Sequence, residues 1–143
     1  MKKAVIAIVI LIVFSANAFA LDVGFLSVRE MQDYCERILS HLLGGDMDSA
    51  FELIKSQWLF DPAEIDSVWE QTAAQLGGLQ DRFGDILAVS EVGNERVGEL
   101  VIRFTYVIKY ERHIVRWLFV FYKPRTKWIL NSFKWDDSIS ELF

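Results

Sequence analysis

From Val28 onward the apolar residues Val28, Met31, Cys35, Ile38 and Leu42 recur at helical spacing, which predicts a helix with one apolar face. Ser27 and Glu30 stand at the N-cap and third positions of that segment. They are a capping-box pair, in which each side chain satisfies the other's free backbone N–H. Gly44-Gly45 ends the helix, because glycine takes the left-handed cap conformation without steric cost. Asp46 then caps a short second helix with Ala50, Phe51, Ile54 and Trp58 on its inner side. A third helix begins at "DPAE", with Asp61 at the N-cap, Pro62 at the first helical position and Glu64 at the third, all preferred there. Its stripe is Ile65, Val68, Trp69, Thr72 and Leu76, and Gly77-Gly78 marks its end or a kink.

After Gly84 the hydrophobic period changes to two. Ile86–Val92 reads as a first strand and "GNERVG" as turn chemistry. Between Leu100 and Tyr110 the even positions Leu100, Ile102, Phe104, Tyr106, Ile108 and Tyr110 are all apolar or aromatic. Arg103, Thr105 and Lys109 fall among the odd ones, so the strand has one firmly apolar face. If Glu111-Arg112 is a two-residue turn, Tyr106 lies opposite Trp117 and Phe104 opposite Phe119. Directly opposed side chains share a face, and a slip of one residue would bring Arg116 inward instead. The basic loop "KPRTK" leads into a last strand within Trp128–Trp135. A five-residue loop puts Ile129, Asn131, Phe133 and Trp135 inward, whereas a four-residue loop substitutes Trp128, Leu130, Ser132 and Lys134. The first set is the more apolar and is the one expected. Helices first and strands afterwards predict an α+β fold, N-terminal helices on a curved antiparallel sheet.

The N-terminus changes the picture of what folds. Lys2 and Lys3, an unbroken apolar run from Ala4 to Phe14 and then Ala18-Phe19-Ala20 have the order of a secretory signal peptide cleaved after Ala20. The alternative is an uncleaved anchor, but the run has 11 residues, short of the roughly 20 that span a bilayer. Residues 21–143 then form one domain of 123 residues in the periplasm or outside the cell, enough for one core and too few for two. Without Lys2 and Lys3, 13 of the 15 basic residues remain against 20 acidic ones, a net charge of −7. So acidic a domain is a poor nucleic-acid binder. Cys35 is the single cysteine and cannot form an internal bridge. Its place on a helical apolar stripe makes it an inert core residue.

Candidate chemistry is sparse. The two histidines lie 72 positions apart and no HExxH, CxxC or calcium-loop spacing occurs, so neither a metal nor any other cofactor is expected. There is no Gly-x-Ser-x-Gly elbow and no phosphate-cradling glycine pattern. The expected inner sheet face carries Tyr106, Tyr110, His113 and Asn131 but no carboxylate to act as a base. His113 sits at a hairpin end, and His41 in the last turn of a helix has a dipole explanation.

In their order along the chain, "GGDMDSAFELI", "VWEQTAAQLGGL" and "FYKPRTKWILNSFKW" resemble the nuclear-transport-factor-2-like superfamily, the cystatin-like cone fold. The likeness is to its small secreted bacterial members. The resemblance spans nearly all of residues 21–143 and implies a sheet wrapped around helices, with a pocket between them in many members. It implies no single activity, because the superfamily includes isomerases, dehydratases, transport adaptors and non-enzymes. On that expectation Tyr34, Trp69, Phe104, Tyr106, Trp117, Phe119 and Asn131 are candidates to line a pocket, or else to fill a solid core. The other sheet face carries Val101, Leu118, Val120, Tyr122, Trp128 and Leu130, too apolar for free exposure. These are candidates for a homodimer interface. The function expected is therefore a non-enzymatic secreted or periplasmic domain binding a small apolar ligand or an envelope protein. The alternatives are an isomerase- or dehydratase-like enzyme with acid–base chemistry in the pocket, and a purely structural dimer module.

Overall fold

A computed structural model of the chain describes residues 23–143, so the leader expected over residues 1–20 lies outside the described residues. Four helices come first: α1 (Val28–Leu43), α2 (Met47–Ser56), α3 (Pro62–Gly77) and α4 (Leu79–Phe83). The strands β1 (Ile86–Val97), β2 (Val101–Tyr110), β3 (Ile114–Tyr122) and β4 (Ile129–Asp136) follow, then a 3-10 turn over Ile139–Leu142. The strands make one antiparallel sheet in the order β1-β2-β3-β4, curved and unclosed, with the helices before it. The fold is α+β.

The helix starts follow the side chains that satisfy their free N–H groups. Ser27 Oγ accepts from Glu30 N at 3.1 Å, Asp46 Oδ1 from Ser49 N at 3.1 Å and Asp61 Oδ1 from Ala63 N at 2.9 Å. The return arm of the first capping box reaches one residue further back than expected. Glu30 Oε2 accepts from Leu26 N at 2.7 Å. Met31, Ile38, Leu39 and Ile54 share one core with Ile102, Phe104, Phe119 and Phe121, all at most 1% exposed. The β2–β3 register is the one the alternation selects: Phe104 opposes Phe119 and Tyr106 opposes Trp117, with Tyr110 N donating to His113 O across the turn at 2.9 Å.

Two expectations fail, each because pairing overrides a local preference. Of "GNERVG" only the last residue belongs to the turn. β1 runs through its first five, with Asn94 opposite Phe104 and Val97 opposite Val101, and the chain reverses at Gly98, where φ is +53°. The long β2 edge offers backbone partners, and filling them outweighs the turn preference of Gly93-Asn94. Irregularities near Leu87 and Val92 absorb the mismatch.

The second correction concerns β4. Val120 pairs with Ser132 but Phe121 pairs with Leu130, leaving Asn131 as the extra residue of a β-bulge. Phe133 and Trp135 face inward opposite Phe119 and Trp117, as expected. Beyond the bulge the phase inverts, so Trp128 and Leu130 are also core residues, 3% and 1% exposed. They are not outer-face residues, and Asn131 is exposed rather than inside. An alternating strand cannot bury both apolar pairs, and a one-residue bulge can. The chain before α1 closes this edge: Phe25 and Trp128 exchange backbone hydrogen bonds of 2.8 Å in both directions.

Gly84, between α4 and β1, has φ +85°, and a Cβ there would lie 2.3 Å from Glu111 Oε2 and 2.9 Å from Glu111 Cβ. Gly45 has φ +75° with nothing within 4 Å of such a Cβ. Gly45→Ala is expected to cost about 1–2 kcal/mol from backbone strain alone. Gly84→Ala should cost roughly 1–3 kcal/mol more from the clash, read as the difference between their urea midpoints. Equal losses would mean that Glu111 swings clear.

Candidate functional site

Where α1 and α3 end above the sheet, the side chains do not close the gap. A cavity of about 220 Å³ remains, lined by Leu42 and Leu43 of α1, Gly45, Met47 of α2, Leu76 and Gly77 of α3 and Gln80 of α4. Its sheet side is Ile86, Ile108, Tyr110 and Trp117. Most of the lining side chains are apolar, while Gln80, Tyr110 and other polar groups make up a large share of the accessible wall, a mixed lining of the kind small-molecule sites have. No charged side chain lines it among the described residues.

Trp117 is the base of this site. It is 0% exposed, stacks on Phe119 with centroids 6.2 Å apart and on Trp135 at 6.3 Å, and opposes Tyr106 across β2. Its Nε1–H has no hydrogen-bond partner among the described residues. Leaving a buried donor unpaired costs about 1–3 kcal/mol. Tyr110, 7% exposed and packed edge-on against Phe83 at 5.9 Å, adds a hydroxyl whose pKa burial raises. It therefore stays protonated and can donate.

A second cavity of about 210 Å³ adjoins the first, Leu43 lining both, with Glu36, Ser40, Glu91 and Tyr106 among its walls. Tyr106 Oη lies 3.3 Å from Glu91 Oε2, and Gln32 Nε2 donates to the same oxygen at 2.9 Å. Burial is the largest of the effects that raise the Tyr106 pKa far above the usual tyrosine range, and Glu91 adds to it. Glu91 opposes Tyr106 and so shares its inner face. Strict alternation from Ile86 puts Glu91 on the opposite face, so the expected inner face held no carboxylate. The irregularities near Leu87 and Val92 decide its facing, and only pairing with β2 reveals them.

Of the seven pocket candidates, Trp117 lines the first cavity and Tyr106 the second. Of the others, all but Asn131 hold the interior together. Tyr34 donates to Leu53 O at 3.0 Å, Trp69 stacks on Phe51 at 5.4 Å and Phe104 meets Phe121 at 5.8 Å. Phe119 lies between Tyr106 and Trp117, and Asn131 is on the bulge. Leu42 and Leu76 sit on helical stripes that read as ordinary core, and Met47 and Ile86, at the starts of α2 and β1, carry no signal that marks them as pocket residues.

His113 and Cys35 have structural explanations. His113 is half-buried, with Nε2 2.9 Å from Asp137 O and its ring 4.7 Å from Phe83. Cys35 is fully buried and its thiol is pushed well upward, mainly by burial, so it is a poor nucleophile. No group of three or more His, Cys, Asp or Glu side chains is placed to hold a metal among the described residues. No described helix is long and apolar enough to cross a membrane. The chain has no significant match to any protein-family model, curated protein or solved structure.

Proposed function

We propose that the protein is a secreted or periplasmic binding domain, not an enzyme, that takes a small apolar ligand into the cleft above Trp117. The observation that carries this is the cavity of about 220 Å³, lined mainly by apolar side chains, left open where two helix ends meet the sheet. Native interiors fill to crystal-like density, and this chain has aromatic bulk enough to fill Phe104 to Phe121 completely. A gap in such a core is a candidate site. The export part of the reading rests on the charge, apolar and small-residue order of residues 1–20.

The enzymatic alternative has one contact in its favour, Tyr106 beside Glu91. Glu91 is exposed, and the Tyr106 hydroxyl is held protonated, so the pair offers a donor but no base enclosed with a substrate. The homodimer reading has a different support. With Trp128 and Leu130 in the core, it rests on Val97, Val101, Tyr122 and Ile129, which form one cross-strand row on the outer face. Val97 and Tyr122 are 66% and 40% exposed.

Native mass spectrometry of the protein purified from its own host tests both readings. A retained small molecule is expected, on paired chains. A bare chain that also fails to bind any small apolar probe would overturn the binding reading. A monomer at every concentration would overturn the dimer reading alone.

A further inference from the structure

The cleft above Trp117 has a charged neighbour. The second cavity, of about 210 Å³, adjoins it at Leu43, which lines both. Each is bounded by α1 on one side and by inner-face positions of β1 and β2 on the other. Ile86, Ile108 and Tyr110 belong to the first, and Val89, Glu91 and Tyr106 to the second. Tyr106 and Tyr110 are both on β2, and the strand between them spans about 13 Å. A chain-like molecule of that length can therefore reach from one cavity into the other.

The polar lining of the second cavity is Glu36, Ser40, Glu91 and Tyr106, and no Lys, Arg or His lines either cavity. Neither glutamate takes part in an ion pair among the described residues. Tyr106 and Cys35 both register the two charges. Burial is the largest cause of their raised pKa values, Glu91 and Glu36 push each further up, and no cation acts against them. Tyr106 is 1% exposed, and its hydroxyl has the 3.3 Å contact with Glu91 as its one side-chain hydrogen bond. Its oxygen is thus left able to accept. Gln32, which does not line the cavity, donates to the same Glu91 oxygen. Two carboxylates and two hydroxyls make a wall of acceptors, and an ammonium group brings three donors and no acceptor. An anion would be repelled there, and a neutral hydroxyl would leave both charges unanswered. We infer, resting on the binding reading of the cleft, that its ligand is an amphiphilic amine. Its apolar body lies above Trp117 and its ammonium group, about 13 Å away along the sheet, is held by Glu36, Glu91 and Tyr106.

Three probes with one chain test this: decylamine (cation), decanol (neutral) and decanoate (anion), each kept below the concentration at which it aggregates. They are titrated into the protein while NMR follows the methyl signals of Leu42 and Ile86 in the first cavity and Val89 in the second. Decylamine is expected to shift both sets saturably, with its methyl end in contact with Ile86 and the carbon beside its nitrogen in contact with Val89. Its affinity should be roughly tenfold above that of decanol, the lower end for a hydrogen bond to a charged group because both glutamates are exposed. Decanoate should bind weakest. Glu36→Gln with Glu91→Gln should bring decylamine down to the affinity of decanol without weakening decanol. Glu70→Gln with Glu99→Gln removes the same charge at exposed positions outside both cavities and should leave the tenfold margin in place. If the first variant does not fold, the three-probe comparison and the orientation of decylamine in the unsubstituted protein decide. Equal affinity for amine and alcohol, tightest binding of the carboxylate, the reverse orientation, or an equal loss in both double variants overturns the amine inference and leaves the cleft as a binding site. No shift at Leu42 or Ile86 with any probe overturns both.

Discussion

Deleting Asn131 is expected to leave the domain folded with a near-native urea midpoint, whereas deleting Ile129 is expected to cost roughly 1.5–3 kcal/mol or more. Asn131 is exposed and is the extra residue of the bulge. Removing it leaves Trp128, Leu130, Phe133 and Trp135 in strict alternation, all inward. Ile129 faces outward opposite Tyr122. Removing it sets Trp128 next to Leu130, and one of the two must turn to solvent. Trp128 and Leu130 are 3% and 1% exposed, and each such side chain is worth roughly 1.5–3 kcal/mol of burial. The Phe25–Trp128 backbone pair is strained or lost where Trp128 turns. Circular dichroism and urea denaturation of the two variants check this. A collapsed midpoint for the Asn131 deletion would show that the bulge itself is required, and a native-like midpoint for the Ile129 deletion would show that the loop over residues 123–127 absorbs the shift.

The second large effect is expected at Asp136. Arg116 lies on the outer face, its side chain only 7% exposed, and meets Asp136 in a two-pronged pair, Nε to Oδ1 at 2.8 Å and Nη2 to Oδ2 at 2.7 Å. Its third arm donates to Glu141 O at 3.3 Å, tying the C-terminal turn to β3, while Asp136 Oδ1 also accepts from Ser138 N at 3.1 Å. Asp136→Ala leaves the guanidinium buried with one weak partner and is expected to cost about 2–4 kcal/mol at neutral pH. Replacing both residues, Arg116→Met with Asp136→Leu, should recover most of that, since an apolar pair needs no compensation. Hydrogen bonding to Arg116 is the main reason the Asp136 carboxyl sits below its usual range. A lowered folded-state pKa stabilises the protein above the unfolded value, near pH 4, and that contribution is lost as pH falls through the lower folded value. The unsubstituted protein should therefore lose stability below about pH 4 more steeply than Asp136→Ala. Parallel acid-denaturation profiles would remove Asp136 from the acid sensitivity.

Arg116 also shows what the sequence pattern leaves open. The alternation that puts Trp117 and Phe119 inside assigns Arg116 to the outer face, where an arginine normally meets water. Its burial depends on Asp136, which lies opposite only through the β3–β4 register, and on a C-terminal turn that folds back against it. Leu118 is likewise buried on that face at 5% exposure, between Arg103, Ser132 and Lys134. Outer-face apolarity read from the sequence thus overstates the surface left for a partner.

Local chemistry by itself determined the three long helices, from Ser27, Asp46 and Asp61 at their starts, and the β2–β3 register, from an unbroken two-residue period across a two-residue turn. Those features depend on neighbours within a few positions, so they can be read from the chain. The bulge at Asn131, the extension of β1 through Gly93-Asn94, the inward facing of Glu91 and the cleft above Trp117 were decided only by the tertiary structure. Each depends on which backbone or side chain arrives from a distant segment. A bulge is favoured when it buries two apolar pairs at once, and a cavity is the space that no segment fills. The tryptophan was visible as a core aromatic, but its unpaired N–H appears only once every possible acceptor has its place.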